Sequence, residues 1–142
     1  MTDEMFFDTN ILCYAYDNTE PKKRKICKES IKNVFSGETR GIISNQIVVE
    51  LYNALTRKLG VDPVSAGTIV SSFILSKNWI KVNYDHKTVR SAIATSKTFG
   101  SPFLDTLIAE TMRANSVSDI LTENEDDFRG IPGITVHNIF SK

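Results

Sequence analysis

The stretch MFFDTNIL, residues 5–12, decides the fold of this chain. Its apolar start is typical of a short buried strand, and the polar residues from Asp8 to Asn10 are of the kind that begins a helix. The apolar residues between Ile11 and Ala15 then recur at helical spacing. The segment therefore predicts a strand followed directly by a helix, with Asp8 at the junction.

The same order of elements repeats along the chain. Four more short strands are predicted, at residues 41–44, 79–82, 119–121 and 134–136. Helices are predicted from Pro21 to Gly37, from a cap at Asn45 to Gly60, from Pro63 to Leu75, from His86 to Phe99, and after Pro102. Strands that alternate with helices pair in parallel through right-handed crossovers. We therefore predict an α/β fold, a three-layer α/β/α sandwich with a mainly parallel central sheet of about five short strands, in a single domain over residues 1–142.

The composition is that of an ordinary water-soluble domain, with 41% hydrophobic and 24% charged residues. No stretch approaches the roughly 18 apolar residues of a membrane span, and Met1 to Glu4 lacks the features of a signal peptide. We therefore expect a cytoplasmic protein without membrane contact. Cys13 and Cys27 have no C-x-x-C spacing, so buried thiols are favoured over a zinc site or a redox pair.

The chain carries no net charge, since 17 basic residues balance 17 acidic ones. Such a molecule has no overall positive field that attracts a polyanion from a distance, so any contact with nucleic acid must be local. The densest basic patch lies between Lys22 and Lys28. A solvated helix face is favoured for this run over a nucleic-acid-binding patch.

Polar and acidic residues follow two of the predicted strands. Asp8 comes directly after the first strand, and Thr122 comes directly after the fourth, ahead of an acidic stretch that ends at Asp127. Functional groups of parallel sheets collect at the carboxyl ends of the strands, so we expect these residues at one rim. A purely structural interpretation stays open for each: Asp8 could only cap a helix, and residues 123–127 could be a solvated acidic loop.

Glu50 and Asp105 are predicted in the first turns of two helices, among apolar neighbours that would partly bury them. Asp105 could simply interact with the positive end of its helix dipole. Glu50 is harder to explain in this way, because it follows a run of apolar residues at a position where a helix with only a structural role needs no acid. Buried carboxylates placed together bind protons unless a cation compensates them. Hard oxygen ligands suit Mg²⁺ or Mn²⁺, and such a site can hydrolyse phosphodiesters.

Other reaction types find no support in the sequence. His86 and His137 stand in polar contexts without a serine or cysteine motif, so triad chemistry is not predicted. A glycine-rich phosphate loop and a dinucleotide fingerprint are both missing from the sequence.

In four segments the chain resembles the PIN-domain ribonucleases, in particular the VapC-type toxins of prokaryotic toxin–antitoxin pairs. The segments are FFDTNIL at 6–12, ISNQIVVE at 43–50, FLDTLIA at 103–109 and ILTEN at 120–124, and the resemblance spans essentially the whole length. It implies a metal-dependent ribonuclease whose Mg²⁺ or Mn²⁺ ligands and catalytic acids are Asp8, Glu50 and Asp105. The same resemblance implies that Thr9, Asn10 and Thr122 support the pocket.

One position departs from the family's pattern. The family commonly places a fourth acid two residues after the threonine, where this chain has Asn124. Asparagine offers a neutral oxygen and one negative charge fewer, which weakens metal affinity. Some members instead carry an acid five residues after the threonine and before an aromatic residue, as in Asp127-Phe128. We therefore expect Asp127 to be the fourth catalytic and metal-binding carboxylate, with Asn124 beside it.

The resemblance also implies an RNA substrate, a homodimer, and an antitoxin protein that wraps the toxin and blocks its site. Tyr14, Tyr52 and Phe73 would be reasonable partner contacts if exposed, and are otherwise core residues.

Two other functions stay open. A catalytically silent PIN scaffold that binds a protein or RNA is suggested by Asn124 and by the absence of net charge. A haloacid-type phosphatase is suggested by the strand followed by Asp8 and Thr9, but that chemistry needs a second aspartate where this chain has Asn10.

Overall fold

A parallel β-sheet forms the centre of the molecule in the computed structural model, which describes residues 4–141. Its five strands are β1 (Glu4–Phe7), β2 (Arg40–Ser44), β3 (Trp79–Val82), β4 (Asp119–Leu121) and β5 (Thr135–His137). They lie in the order β3-β2-β1-β4-β5, and every neighbouring pair is parallel. The predicted α/β fold with a sheet of about five short parallel strands is confirmed.

Seven helices within the described residues connect and cover the strands: α1 (Thr9–Tyr14), α2 (Pro21–Phe35), α3 (Asn45–Arg57), α4 (Pro63–Leu75), α5 (His86–Phe99), α6 (Phe103–Ala114) and α7 (Glu125–Arg129). The last four residues of β2 are buried without alternation, which means that both faces of the sheet are covered. Over residues 4–141, none of these helices is both long and apolar enough to cross a bilayer. Residues 1–3, on which the absence of a signal peptide was predicted, lie outside the described part.

Most helix boundaries follow local signals that the sequence already displays. The Asp62 side chain accepts a hydrogen bond from the Ser65 amide at 3.0 Å, and Pro63 is the first residue of α4. Gly100 ends α5 with a φ of 68°, a left-handed conformation that glycine adopts without strain.

The prediction that Asn45 caps α3 was wrong. The cap is Ser44, whose hydroxyl accepts a hydrogen bond from the Ile47 amide at 3.3 Å, and Asn45 is already the first helical residue. Because α3 begins at Asn45, Glu50 lies in its second turn and not in the first turn as predicted.

In α6, the helical spacing of Leu104, Leu107, Ile108 and Met112 predicts that all four face the core. The last three are buried, but Leu104 is 57% exposed. The prediction for Leu104 was therefore wrong. Its backbone carbonyl accepts a hydrogen bond from Gln46 of α3, and the buried residues of α6 begin at Thr106.

Aromatic packing fixes β1, β2 and β3 against one another. The Trp79 ring makes edge-to-face contacts with Phe7 and Phe73, with centroids 5.0 and 5.1 Å apart. A Cβ atom at Gly41 would lie 2.8 Å from the Trp79 ring and from Val34, so glycine is what allows this ring to lie against β2. The packing thereby holds β1, whose last residue directly precedes Asp8, in the sheet.

Candidate active site

Four separate segments of the chain bring acidic side chains to one cleft. Because β1 and β4 are parallel neighbours, Asp8 follows β1 next to Thr122, which follows β4. Helix α3 adds Glu50 and helix α6 adds Asp105. The cleft has a volume of about 310 Å³, and its lining residues include Asp8, Thr9, Asn10, Cys13, Tyr14, Asp17, Glu50, Lys58, Asp105, Glu123 and Asn124.

Asp8 is 4% exposed and is held by three donors. Its Oδ1 accepts from the Thr9 amide at 2.8 Å, and its Oδ2 accepts from the Thr122 hydroxyl at 2.7 Å and from Asn10 Nδ2 at 3.3 Å. Asp8 is also the N-cap of α1. The structural interpretation of Asp8 as a cap and its place in the acidic cleft are therefore compatible.

The residues predicted to support the pocket also tie its two loops together. Asn10 Oδ1 accepts a hydrogen bond from the Glu123 amide at 3.3 Å, and the Thr122 hydroxyl oxygen accepts one from the Asn124 amide at 3.0 Å. These bonds hold the segment after β4 against the start of α1.

Glu50 is half-buried, and both of its carboxylate oxygens are engaged. Oε1 accepts from the Thr9 hydroxyl at 2.7 Å, and Oε2 accepts from Gln46 Nε2 at 2.8 Å. Sequence reasoning missed Gln46. The available signal was its spacing of four residues from Glu50, which places both side chains on the same face of α3.

Asp105 and Asp127 lie within hydrogen-bonding reach of each other. The residues after Glu123 form helix α7 instead of a solvated loop, and this helix brings a half-buried Asp127 to Asp105. Burial, the bond to Asp127 and the negative charge of Asp8 together raise the pKa of Asp105 to about 7. Asn124 is exposed and lines the cleft, whereas Asp127 is not one of the lining residues and reaches the site through Asp105.

The pKa of Asp8 is raised by the same two effects, burial and nearby negative charge. Burial raises the pKa of Asp8 to about 6, against the hydrogen bonds from Thr122 and Thr9 that lower it, and the charges of Glu50 and Asp127 raise it further. Within residues 4–141, none of the ion pairs reaches Asp8, Glu50, Asp105 or Asp127. A hard divalent cation would supply the missing positive charge, so the donor chemistry of the cleft fits such an ion.

The distances in the cleft are not those of a closed coordination shell. No set of three or more histidine, cysteine, aspartate or glutamate side chains in the described part of the chain has the arrangement of a metal site. The carboxylates are instead turned toward Thr9, Gln46 and Thr122. The acids share the cleft, and side-chain rotation would be needed to direct three of them at one ion.

Lys58 and Glu123 are further residues of the cleft that sequence reasoning did not single out. Lys58, the C-cap of α3, is the one basic side chain among the described residues that line the cleft. Glu123 forms an ion pair with Lys23 of α2 and accepts a hydrogen bond from the Tyr14 hydroxyl. The Glu123 charge is thus compensated, unlike the charges of the four grouped acids.

Both cysteines are free thiols. Cys27 is buried as predicted, whereas Cys13 is only partly buried and lines the cleft. Burial raises the pKa of each thiol to about 12, so both are neutral and unreactive near neutral pH.

We expect the protein in EDTA to lose stability as the pH rises from 4 to about 7, through the raised pKa values of Asp8 and Asp105. In this window the folded state keeps protons that the unfolded chain releases, so the free energy of unfolding falls as the pH increases. For buried Asp8, the rise from 3.8 to about 6 corresponds to roughly 3 kcal/mol. Carboxyl groups with lowered pKa values, such as Asp62 and Asp85, act below this window.

Urea unfolding in EDTA at about pH 4, 6 and 8 measures this dependence. A free energy of unfolding that increases steadily over that range would contradict the raised pKa values.

Comparisons with known proteins agree with this architecture. The family model described as PIN domain matches residues 5–134. Similar solved structures include DNA-bound VapBC from Salmonella typhimurium, with 21% identity, a TM-score of 0.68 and coverage of 98% of this chain and 99% of that chain. VapBC2 from Rickettsia felis, bound to a promoter DNA fragment, has 17% identity, a TM-score of 0.69 and coverage of 96% and 98%.

A third similar structure is Mycobacterium tuberculosis VapC20, a toxin that cleaves the sarcin-ricin loop, with 15% identity, a TM-score of 0.67 and coverage of 92% of this chain and 98% of that chain. At these identities the likeness shows a shared fold. No curated protein matches the chain significantly.

Proposed function

The chain belongs to the PIN-domain family, and from this premise we propose that it is a Mg²⁺- or Mn²⁺-dependent endoribonuclease, the toxin component of a toxin–antitoxin pair. The observation that carries the proposal is the grouping of Asp8, Glu50 and Asp105 in one cleft, with Asp127 beside Asp105 and no ion pair to any of the four among the described residues. A structural cluster of acids would be compensated by lysine or arginine, as Glu123 is by Lys23.

In this proposal Asp8, Glu50, Asp105 and Asp127 supply the oxygen ligands, and Asn124 lies beside them at the cleft. A divalent ion held by these residues would lower the pKa of a water molecule and balance charge on the scissile phosphate. Thr122 and Asn10 keep the Asp8 carboxylate from rotating out of the cleft, since both donate to the same oxygen. Thr9 links Asp8 to Glu50 through its amide and its hydroxyl.

Lys58 is the residue that we propose to contact an RNA phosphate. A polyanion that approaches five cleft-lining acids needs a local positive charge, because the chain as a whole has no net positive charge to attract it. Of the basic run on α2, Lys22, Lys25 and Lys28 are exposed, whereas Lys23 is engaged with Glu123. This run fits the solvated face favoured from the sequence better than it fits a contact inside the cleft.

The proposed protein partners are an antitoxin and a second copy of the chain. Two of the similar structures are complexes described as VapBC. Of the side chains suggested as partner contacts, Phe73 is fully buried and Tyr14 binds Glu123, but Tyr52 is 40% exposed. Tyr52 therefore remains available as a contact.

We expect purified protein to cleave RNA in Mg²⁺ or Mn²⁺ and to stop when EDTA removes the ion. Asp127→Asn should lower the cleavage rate roughly 10- to 100-fold, because it removes one negative charge from the site and changes the hydrogen-bonding partner of Asp105. Asn124→Ala, at an exposed position of the same rim, should change it less than about threefold. Gel analysis of the cleaved RNA measures both.

The same assay separates the remaining alternatives. Equal cleavage in EDTA would defeat the proposal, and Mn²⁺ binding without cleavage would favour the silent scaffold. Turnover of a small phosphoester without cleavage of RNA would favour the phosphatase.

A further inference from the structure

Gln46 is a buried polar side chain beside the carboxylates, and the proposed function does not yet use it. It is 7% exposed and lies one turn before Glu50 on α3. Its Nε2 donates to Glu50 Oε2 at 2.8 Å and to the carbonyl oxygen of Leu104 at 3.0 Å. Leu104 directly precedes Asp105, so one amide group joins the helix of Glu50 to the start of the helix of Asp105.

The oxygen of the Gln46 side-chain amide indicates that this residue does more than fill space in the core. Gln46 Oε1 is buried and has no hydrogen-bond partner among the described residues. A flipped amide would not help, because its oxygen would then face two acceptors, Glu50 Oε2 and the Leu104 carbonyl. A buried acceptor without a partner costs stability, and an apolar side chain of the same length would avoid that cost.

We propose that Gln46 is a positioning residue of the carboxylate centre. Together with Thr9 it holds both oxygens of Glu50, so the carboxylate cannot rotate about its last bond without losing a hydrogen bond. Through Leu104 it also sets how far the first turn of α6, with Asp105, stands from α3. The catalytic consequence rests on the proposed function.

The test compares Gln46→Met, which keeps the length and removes the amide, with Thr106→Val as a matched control. Thr106 is fully buried in the first turn of α6 and donates to the Pro102 carbonyl at 2.9 Å, so its replacement also removes one side-chain hydrogen bond near Asp105. Although Thr106 directly follows Asp105 in the chain, its hydroxyl makes no hydrogen bond to any of the four acids among the described residues. Thermal unfolding in EDTA compares the stability of the two variants.

We expect Gln46→Met to weaken Mn²⁺ binding, measured by calorimetry, roughly 10- to 100-fold and to lower kcat by a similar factor with KM for RNA little changed. Thr106→Val should lower the melting temperature and leave Mn²⁺ affinity and kcat within about twofold. Unchanged Mn²⁺ affinity and kcat in Gln46→Met would overturn the proposal. Equal losses in both variants would also overturn it, since the effect would then be one of stability.

A crystal structure of Gln46→Met separates this inference from the proposed function. We expect the Glu50 carboxylate to leave its position against Thr9, whether or not the wild-type protein cleaves RNA. Unchanged positions of Glu50 and of the start of α6 would overturn the positioning role even in an active ribonuclease. If Gln46→Met does not fold, Gln46→Asn keeps an amide that is one methylene too short, and the same measurements apply to it.

Discussion

Replacing Asp105 with asparagine is expected to lower the rate of metal-dependent RNA cleavage roughly a thousandfold or more, with loss of Mn²⁺ binding. The substitution keeps the size of the side chain and removes one negative charge from a group that already lies against Asp127 and near Asp8. Electrostatic groups that act directly on the reacting centre contribute effects of this order. Single-turnover cleavage of RNA and calorimetric titration with Mn²⁺ measure the two losses.

Stability should change in the opposite direction. Since the raised pKa of Asp105 reflects burial and carboxylate repulsion, Asp105→Asn should increase the free energy of unfolding in EDTA near neutral pH. Asp126→Asn is the matched control, because it removes the same charge from a side chain that is 93% exposed and whose one ion pair within residues 4–141 is with Arg129. Cleavage by Asp105→Asn at a rate close to that of Asp126→Asn would refute the assignment of this site.

Trp79→Ala should produce the largest loss of stability, about 3–5 kcal/mol. The ring is 1% exposed and contacts Phe7, Phe35 and Phe73, so its removal leaves a cavity between β1, β2 and the helix α4. Gly41, which lies against the ring, has no side chain that could fill this cavity. Urea unfolding followed by far-ultraviolet circular dichroism measures the loss.

The matched variant is Trp79→Phe, which should cost much less, about 1–2 kcal/mol. The indole Nε1 is buried and has no hydrogen-bond partner in the described part of the chain, so phenylalanine gives up packing area but no hydrogen bond. A cost for Trp79→Phe equal to that of Trp79→Ala would show that the edge-to-face packing is not what stabilises this region.

Strand and helix order could be predicted because their signals are local. Each signal lies within a few consecutive residues. This is true of the five strands, of the cap at Asp62 and of the left-handed helix end at Gly100. The two errors have different causes. The cap of α3 was assigned to Asn45 although the neighbouring Ser44 can cap it as well, which is a local ambiguity. Leu104 has helical core spacing, but tertiary packing leaves its side chain 57% exposed.

The sequence by itself determined the α/β class, because alternating apolar runs and helical periods permit few other arrangements. It also marked Asp8 as an acid directly after a strand, and Glu50 and Asp105 as acids among apolar neighbours. Only the tertiary structure decided how these acids are held. Glu50 is held by Thr9, and Asp105 lies against Asp127, in each case a residue from a distant part of the chain. The sequence could not reveal these pairs, because hydrogen bonds and charge repulsion depend on distance in space.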